Sequence, residues 1–205
     1  LPARIEGALG RFLQDETGRR ERAFAALKAC DGLGARRIAS ALNGRRETKN
    51  GCEITLRSMT SDDGDWLLQL QRQPSTREFA RNRAVPNPTE HVAWLRAKLN
   101  DPAVILNVIE VNENRVGFVR LEQRGVQSGG GFEVSVAIEP TSNGLGIGSG
   151  ALALAHELVP AERLWAFVMP ENVASQRLFH RAGYRSHREP NWWAAEPLVG
   201  KAPHN

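Results

Sequence analysis

The sequence has few of the features that mark membrane, secreted or metal-binding proteins. Its 205 residues contain no apolar run approaching the roughly 18 residues of a membrane span. Its first residues do not form the basic and then apolar pattern of a signal peptide. The two cysteines, Cys30 and Cys52, show no metal or redox spacing, and the five histidines show no ligand spacing. We therefore expect a reduced, cytoplasmic protein that binds no metal ion and contacts no membrane.

Most of the chain also lacks an excess of basic residues. The net charge of +4 arises in residues 1–50, which contain 11 basic and 6 acidic residues, while the rest of the chain contains 16 and 17. The basic residues of this first segment lie in stretches with helix-like spacing, as in "GRRER" and "ARR". This distribution favours a solvated helix face over a nucleic-acid patch, so we expect no nucleic-acid partner.

The chain is predicted to consist of three parts. Residues 1–45 have the apolar spacing of short helices, but they are too few to bury a core of their own. Residues 46–52 belong to a polar, glycine-bounded stretch that is typical of a linker. Residues 53–205 are long enough for one domain. Because the first residue is Leu1 rather than methionine, we expect a fragment or a processed product of a longer protein.

Residues 53–205 have the pattern of an α+β domain. "CEITLRSMT" alternates as a strand, and "AVILNVIEVNENRVGFVRLEQ" predicts two strands around a tight turn at Asn112–Asn114. "NPTEHVAWLRAKLND" predicts a helix with Thr89 as its cap. A further strand, "FEVSVAIEP", is followed by helix, strand and helix, and the tail with Trp192 and Trp193 is expected to be irregular. The expected architecture is a mixed, mostly antiparallel central sheet flanked by helices, with an N-terminal helical appendage.

Glycine is concentrated at one place, in "EPTSNGLGIGSGALALAHEL", residues 139–158. Glycine costs conformational entropy on folding, so such a run needs a physical reason. A flexible loop does not explain why the glycines lead directly into a strong helix pattern. "GIGSGA", residues 146–151, also matches a dinucleotide fingerprint with Glu171 beyond it, but several residues separate it from the preceding strand. The third alternative is an anion cradle, in which unpaired amides at a helix N-terminus hold a pyrophosphate.

Two motifs favour the third alternative, because both resemble motifs of one known protein family. "VAIEPTSNGLGIG" resembles the acetyl-CoA-binding motif of the GNAT superfamily of N-acetyltransferases, whose loop reads R/Q-x-x-G-x-G/A, and Asn143, Gly146 and Gly148 occupy its positions. "PENVASQRLFHRAGY", residues 170–184, resembles the second motif of that superfamily. The resemblance covers roughly residues 53–190. It implies a GNAT-like fold and acetyl-CoA as cofactor.

The resemblance also implies which residues hold that cofactor. Because Asn143 and Leu145 replace the usual polar or basic residues of the loop, backbone amides of residues 144–149 are expected to hold the diphosphate almost alone. The backbone of Val136 would lie beside the thioester carbonyl, and that of Ile138 would bind the pantetheine arm. The full set of expected cofactor contacts is Val136, Ile138, Asn143, Gly144, Leu145, Gly146, Ile147, Gly148, Ser149, Asn172, Ser175 and Phe179; helix capping is the alternative role of Asn172 and Ser175.

Acetyl transfer to an amine requires a neutral amine, donors for the oxyanion and a leaving thiolate. Many relatives carry a carboxylate near the start of the strand that is "FEVSVAIEP" here, and we expect Glu133 to be the general base; a surface salt bridge is its alternative role. The tyrosine that many relatives use as acid is Phe179 here. Tyr184, the one tyrosine of the chain, is the remaining candidate acid, although its motif position usually packs in the core.

The sequence upstream of the motif indicates an acceptor. Residues 76–122 resemble the N-acetyltransferases that act on the 4-amino group of UDP-linked amino-deoxysugars in pseudaminic acid biosynthesis, and Arg77, Arg81 and His91 are the candidate contacts to the sugar nucleotide. "ACDGLGARRIASAL" resembles the C-terminal tail of the UDP-sugar hydrolase of that pathway, which implies a fused or associated hydrolase. A homodimer is compatible with this reading. The alternatives are acetylation of a protein N-terminus, as in the ribosomal-protein branch, and a CoA-binding domain without turnover.

Overall fold

The computed structural model describes residues 45–48, 51 and 53–198, together with Asp15 and Gly18. The chain divides after Ala35 into two units, and all elements given below belong to the second, Arg36–Asn205. The helices expected in residues 1–45, and with them the hydrolase-like tail, lie almost wholly outside the described residues.

The described strands form one mixed sheet with the order β1-β2-β3-β4-β5-β6-β8-β7. Every neighbouring pair is antiparallel except β5 and β6, which run parallel. The mostly antiparallel α+β architecture predicted from the sequence is therefore confirmed. The strands are β1 (Arg46–Glu47), β2 (Glu53–Ser58), β3 (Val104–Val111), β4 (Asn114–Gln123), β5 (Phe132–Ile138), β6 (Leu164–Phe167), β7 (Arg185–Ser186) and β8 (Trp192–Ala195).

Helices cover both faces of this sheet and enclose one apolar cluster on each. One cluster contains Leu67 and Leu95 of the first and third helices, and the other contains Leu152 and Phe179 of the fourth and fifth. Side chains of β5 alternate between them, since Val136 packs on the second cluster and Ala137 on the first. The helices are α1 (Gly64–Arg72), α2 (Pro74–Arg77), α3 (Pro88–Leu99), α4 (Ile147–Leu158) and α5 (Val173–Arg181).

Local chemistry explains where these elements begin and turn. The predicted turn between β3 and β4 forms at Asn112 and Glu113, whose φ angles of 50° and 66° are those of a tight hairpin. Helix α3 is capped by Asn87 rather than by the predicted Thr89, because the Asn87 side chain accepts hydrogen bonds from the amides of Thr89 and Glu90. Pro88 then occupies the first helical position, where a missing N–H costs nothing.

Two regions differ from the sequence prediction. Arg46 and Glu47, expected in a linker, pair with β2 as a short outer strand. The tail expected to be irregular contains β8, in which Trp192 pairs with Phe167 and the strand lies between β6 and β7. Adjacent aromatic residues such as Trp192 and Trp193 favour strands. Within the described part of the chain, no helix is long and apolar enough to cross a membrane.

Candidate active site

The sheet opens into a notch between its two parallel strands. Strands β5 and β6 pair only at Phe132 with Leu164 and at Glu133 with Trp165. Beyond Glu133, β5 stays paired with β4 as far as Ile138, while none of the described strands pairs with its other side. The notch therefore leaves one edge of β5 open over residues 134–138.

The hydrogen bonds at both ends of β5 show which backbone groups point into the notch. The amide of Phe132 donates to the carbonyl of Arg163, on the β6 side, at 2.9 Å. The amide of Glu139 donates to the carbonyl of Val116, on the β4 side, at 2.7 Å. Because backbone direction alternates along a strand, Val136 and Ile138 direct their N–H and C=O groups toward the notch. This is the arrangement that the proposed backbone contacts of these two residues require.

The glycine run follows β5 and leads into α4. Gly144 and Gly146 both have φ of +81°, a left-handed conformation that favours glycine. Among the described residues, no amide from Gly144 to Ser149 donates a hydrogen bond to the protein. Residues 143–146 are exposed and α4 begins at Ile147, so these donors lie where an exposed loop meets a helix N-terminus. Such a donor set fits a diphosphate group, which needs several converging N–H donors and no apolar contact.

Gly148 and Gly150 serve a different purpose, which is close packing. A Cβ built on Gly150 would lie 2.5 Å from Cδ1 of Ile54 in β2, and one on Gly148 would lie 3.1 Å from the Leu178 side chain in α5. These glycines let the first turn of α4 approach the sheet and α5. The run thus combines two residues needed for backbone conformation with two needed for packing.

A segment outside both sequence motifs borders this loop. A Cβ on Gly146 would lie 3.8 Å from Cβ of Thr48, directly after β1. Arg46 forms an ion pair with Glu157 of α4, which ties the segment to the same helix. This contact was not predicted from the sequence. The linker is polar and has no hydrophobic pattern, so nothing in it indicates which helix it packs against.

Glu133 lies where the notch begins, on the opposite face of the sheet from α4. Its Oε1 accepts a hydrogen bond from Arg81 at 2.6 Å, and its Oε2 lies 3.9 Å from Nη1 of Arg124. The Glu133 side chain is 20% exposed. The structure therefore shows the salt-bridged arrangement that the sequence left as an alternative, and the role of Glu133 as general base stays a prediction.

An aromatic–arginine cluster surrounds Glu133. The Arg81 guanidinium lies 4.3 Å from the ring centroid of Phe167 and 5.0 Å from that of Trp192. The Arg124 guanidinium lies 4.1 Å from the Trp192 centroid and 5.0 Å from that of Trp165. Arg81 thus reaches from β5 to β6 and β8 across the mouth of the notch. Apart from Arg81 and Glu133, the sequence interpretation missed this cluster, although strand alternation places Trp165 and Phe167 on one face.

The glycine-rich segment before β5 supports this cluster. Gly129, Gly130 and Gly131 all have positive φ, and the carbonyl of Gly130 accepts a hydrogen bond from the Trp165 indole at 2.9 Å. A Cβ on Gly129 would lie 2.9 Å from the Trp165 ring. The segment is therefore a close-fitting brace for Trp165.

Other predicted site residues lie in the core or at helix ends. Tyr184 is 1% exposed and packs edge-on against buried Phe179, with ring centroids 5.0 Å apart. Burial raises the pKa of the Tyr184 hydroxyl. The side chain of Asn172 caps α5 by accepting a hydrogen bond from the Ser175 amide at 2.9 Å, which is the alternative role proposed for both residues.

The two remaining acceptor candidates are not at the notch. His91 is buried and stacks on Trp94 at 5.5 Å, and burial lowers its pKa, so it remains neutral near pH 7. Arg77 donates to the carbonyl of Asn82 at 3.2 Å and so braces the loop that carries Arg81. Of the three predicted acceptor contacts, the structure brings only Arg81 to Glu133.

A glycine loop with unpaired amides at a helix N-terminus, next to a strand with one open edge, fits a class of enzyme that binds a diphosphate-bearing cofactor. The acetyltransferase (GNAT) domain family matches residues 53–185, which is more than half of the chain. The chain belongs to the GNAT family and is an acetyl-CoA-dependent N-acetyltransferase. None of the curated proteins matches it.

Solved structures with this fold include enzymes with different acceptors. RimJ from Mycobacterium smegmatis, in complex with CoA-disulfide, is 21% identical, with a TM-score of 0.58 over 70% of this chain and 75% of that one. The aminoglycoside acetyltransferase AAC(6')-Ib, with coenzyme A, is 18% identical, with a TM-score of 0.59 over 70% and 94%. A spermidine N-acetyltransferase SpeG chimera from Vibrio cholerae and hSSAT is 19% identical, with a TM-score of 0.56 over 65% and 81%. At these identities the likeness shows the fold alone.

Proposed function

We propose that this enzyme transfers an acetyl group from acetyl-CoA to the amine of an anionic acceptor, and that the acceptor is a UDP-linked 4-amino-deoxysugar. The observation that carries the proposal is the charge of the sheet face around the notch. Among the described residues around Glu133, ion pairs join four cations, Arg81, Arg120, Arg124 and Lys98, to two carboxylates, Glu122 and Glu133. Such a surface favours a phosphorylated acceptor over a polycation.

Acetyl-CoA supplies the activated acetyl group, and the chain's own residues supply position and proton transfer. The amides of residues 144–149 would hold the diphosphate, and the backbone of Val136 and Ile138 would hold the pantetheine arm along the open edge of β5. The acceptor amine would enter from the face that carries Glu133. Glu133 would accept the amine proton, directly or through a water, so that the nitrogen lone pair becomes available.

The aromatic members of the cluster suit the nucleotide. The guanidinium of Arg81 lies over the rings of Phe167 and Trp192, so a planar base could take its place on a ring when the arginine turns to bind a phosphate. Neither a polyamine nor an aminoglycoside offers a planar base or a negative charge. The sequence resemblance of residues 76–122 to the pseudaminic acid branch agrees with this choice, and the proposed pathway and hydrolase association rest on that resemblance.

An acceptor panel tests the proposed function. The full chain is incubated with acetyl-CoA and, separately, a UDP-linked 4-amino-deoxysugar, kanamycin, spermidine and an N-terminal ribosomal-protein peptide. Thiol release is followed, and each product is checked by mass for one added acetyl group. We expect kcat/KM for the UDP-sugar to exceed that of each cation at least 100-fold, about 3 kcal/mol of discrimination. A polyamine, aminoglycoside or peptide acetylated equally well would refute the proposal.

A further inference from the structure

We infer that Arg81 is a specificity residue that links recognition of the acceptor's negative charge to release of the base. The inference rests on the proposed function, in which Glu133 accepts the amine proton. In the structure, Oε1 of Glu133 is occupied by the Arg81 guanidinium at 2.6 Å. An anionic group on the acceptor would take over this guanidinium and free the Glu133 oxygen.

The two arginines that contact Glu133 differ in their freedom to move. Arg124 is 13% exposed, lies against two indole rings, and donates from Nε to the carbonyl of Ser128 at 3.0 Å. Arg81 is 48% exposed and belongs to the loop between α2 and α3. Since Arg124 is fixed by three neighbours and Arg81 is half exposed, Arg81 is the partner that can exchange.

The position of Arg81 makes this exchange a condition for access. Its guanidinium joins Glu133 of β5 to Phe167 and Trp192 of β6 and β8, and so it spans the mouth of the notch. An amine that approaches Oε1 of Glu133 through the mouth of the notch therefore takes the place of this guanidinium. A diphosphate offers the guanidinium a charge-assisted, bidentate partner, whereas a neutral or cationic acceptor offers none.

The consequence for proton transfer is direct. When Arg81 binds the acceptor's phosphate, one Oε1 lone pair of Glu133 is freed; an N–H bond of the acceptor ammonium then breaks, an O–H bond forms, and the electron pair stays on nitrogen. An acceptor without negative charge leaves Arg81 in place and the base occupied. Selection for charge therefore affects kcat as well as KM.

Two acceptors and three variants test this inference. The acceptors are a UDP-linked 4-amino-deoxysugar and the same aminosugar without its nucleotide. The variants are Arg81→Ala, Arg81→Lys and, as a matched control in the same exposed loop, Arg83→Ala. We expect Arg81→Ala to lower kcat/KM for the UDP-sugar about 10- to 100-fold, the range for a lost charged hydrogen bond. We expect the same variant to raise kcat for the free aminosugar, because Glu133 is released.

The conservative variant and a binding measurement separate recognition from folding. Arg81→Lys should recover part of the activity on the UDP-sugar, since it restores the charge without the planar stacking. Calorimetric titration of UDP into the CoA-loaded protein should show tighter binding to wild type and Arg83→Ala than to Arg81→Ala. If Arg81→Ala lowers kcat for both acceptors by the same factor, Arg81 only positions its loop, and the inference is wrong. If wild type does not acetylate the UDP-sugar at all, the proposed function fails first.

Discussion

The two sides of the notch are built from different parts of the polypeptide. On the α4 side, main-chain amides of a glycine loop and the open edge of β5 form the proposed cofactor surface, and the first turn of α4 carries no acidic side chain. On the other side, Arg81, Arg124, Trp192 and Glu133 form a surface made of side chains. Main chain can recognise a cofactor shared by a whole family, whereas side chains can change with each acceptor.

From this comparison we expect the largest loss of activity from a substitution on the side of the notch that is made of side chains. Glu133→Gln keeps the size of the side chain but removes the base, so we expect kcat for the UDP-sugar to fall about 100-fold or more. The matched control is Glu122→Gln, since Glu122 faces Glu133 across β4 and β5 and has its own partners. Steady-state kinetics measure both variants, with CoA affinity expected to stay constant. A loss of twofold or less for Glu133→Gln would exclude it as the base.

A smaller effect, on stability rather than on activity, is expected from Asp63, which belongs to neither side of the notch. Asp63 is buried, and hydrogen bonds from Arg57, against the opposing effect of burial, lower its pKa from 3.8 to about 2. Because this pKa is lowered in the folded state, the stabilisation is complete above about pH 4 and is lost as the pH falls from about 4 to about 2. Asp63→Asn should lower the free energy of unfolding by about 2 kcal/mol at pH 7, and by progressively less below pH 4.

Urea denaturation at pH 7, 4 and 3 measures this pH dependence. If Asp63→Asn changes stability but neither CoA affinity nor the KM for the acceptor, both binding surfaces of the notch are independent of this ion pair. A constant difference between wild type and Asp63→Asn over this pH range would show that the ion pair is not its source.

The main-chain half is tested at Gly146. A β-branched residue is strained at φ of +81°, so Gly146→Val should turn the amides away from the diphosphate and weaken CoA binding about tenfold, equivalent to the 1–2 kcal/mol cost of a left-handed conformation. Gly125→Ala is the control, because Gly125 has φ of −64° and open space around its Cα. Calorimetry with CoA measures both. Unchanged CoA affinity in Gly146→Val would remove the glycine loop from the binding site.

The smallest effect is expected at Tyr184. Its hydroxyl is buried and has no hydrogen-bond partner among the described residues, so Tyr184→Phe removes an unsatisfied polar group and keeps the packing on Phe179. We expect kcat within twofold of wild type and an equal or slightly higher melting temperature. A tenfold loss of kcat without a loss of stability would instead identify this hydroxyl as the acid.

The main-chain side of the notch could be predicted from the sequence, whereas most of the side-chain cluster could not. The strand patterns, the Asn112–Asn114 turn and the glycine loop are local signals, and the structure has each of them where expected. The contacts of Arg81 and Arg124 with Trp192 join residues that are distant along the chain, and no periodicity encodes them. His91 was predicted to contact the acceptor, but it is buried. It lies next to Gly64 of the neighbouring α1, a long-range contact that the pattern of its own helix does not indicate.

The outer strands of the sheet have a practical consequence for producing the enzyme. Strands β1 and β7 are only two residues long, and short borders of this kind discourage the sheets of separate molecules from joining. A recombinant fragment trimmed to residues 53–185 would lose β1, β8 and the pairing of β7, so that one edge of β2 and one edge of β6 would become exposed. Such a fragment should aggregate where the longer chain stays dispersed, so expression boundaries need to retain both β1 and β8.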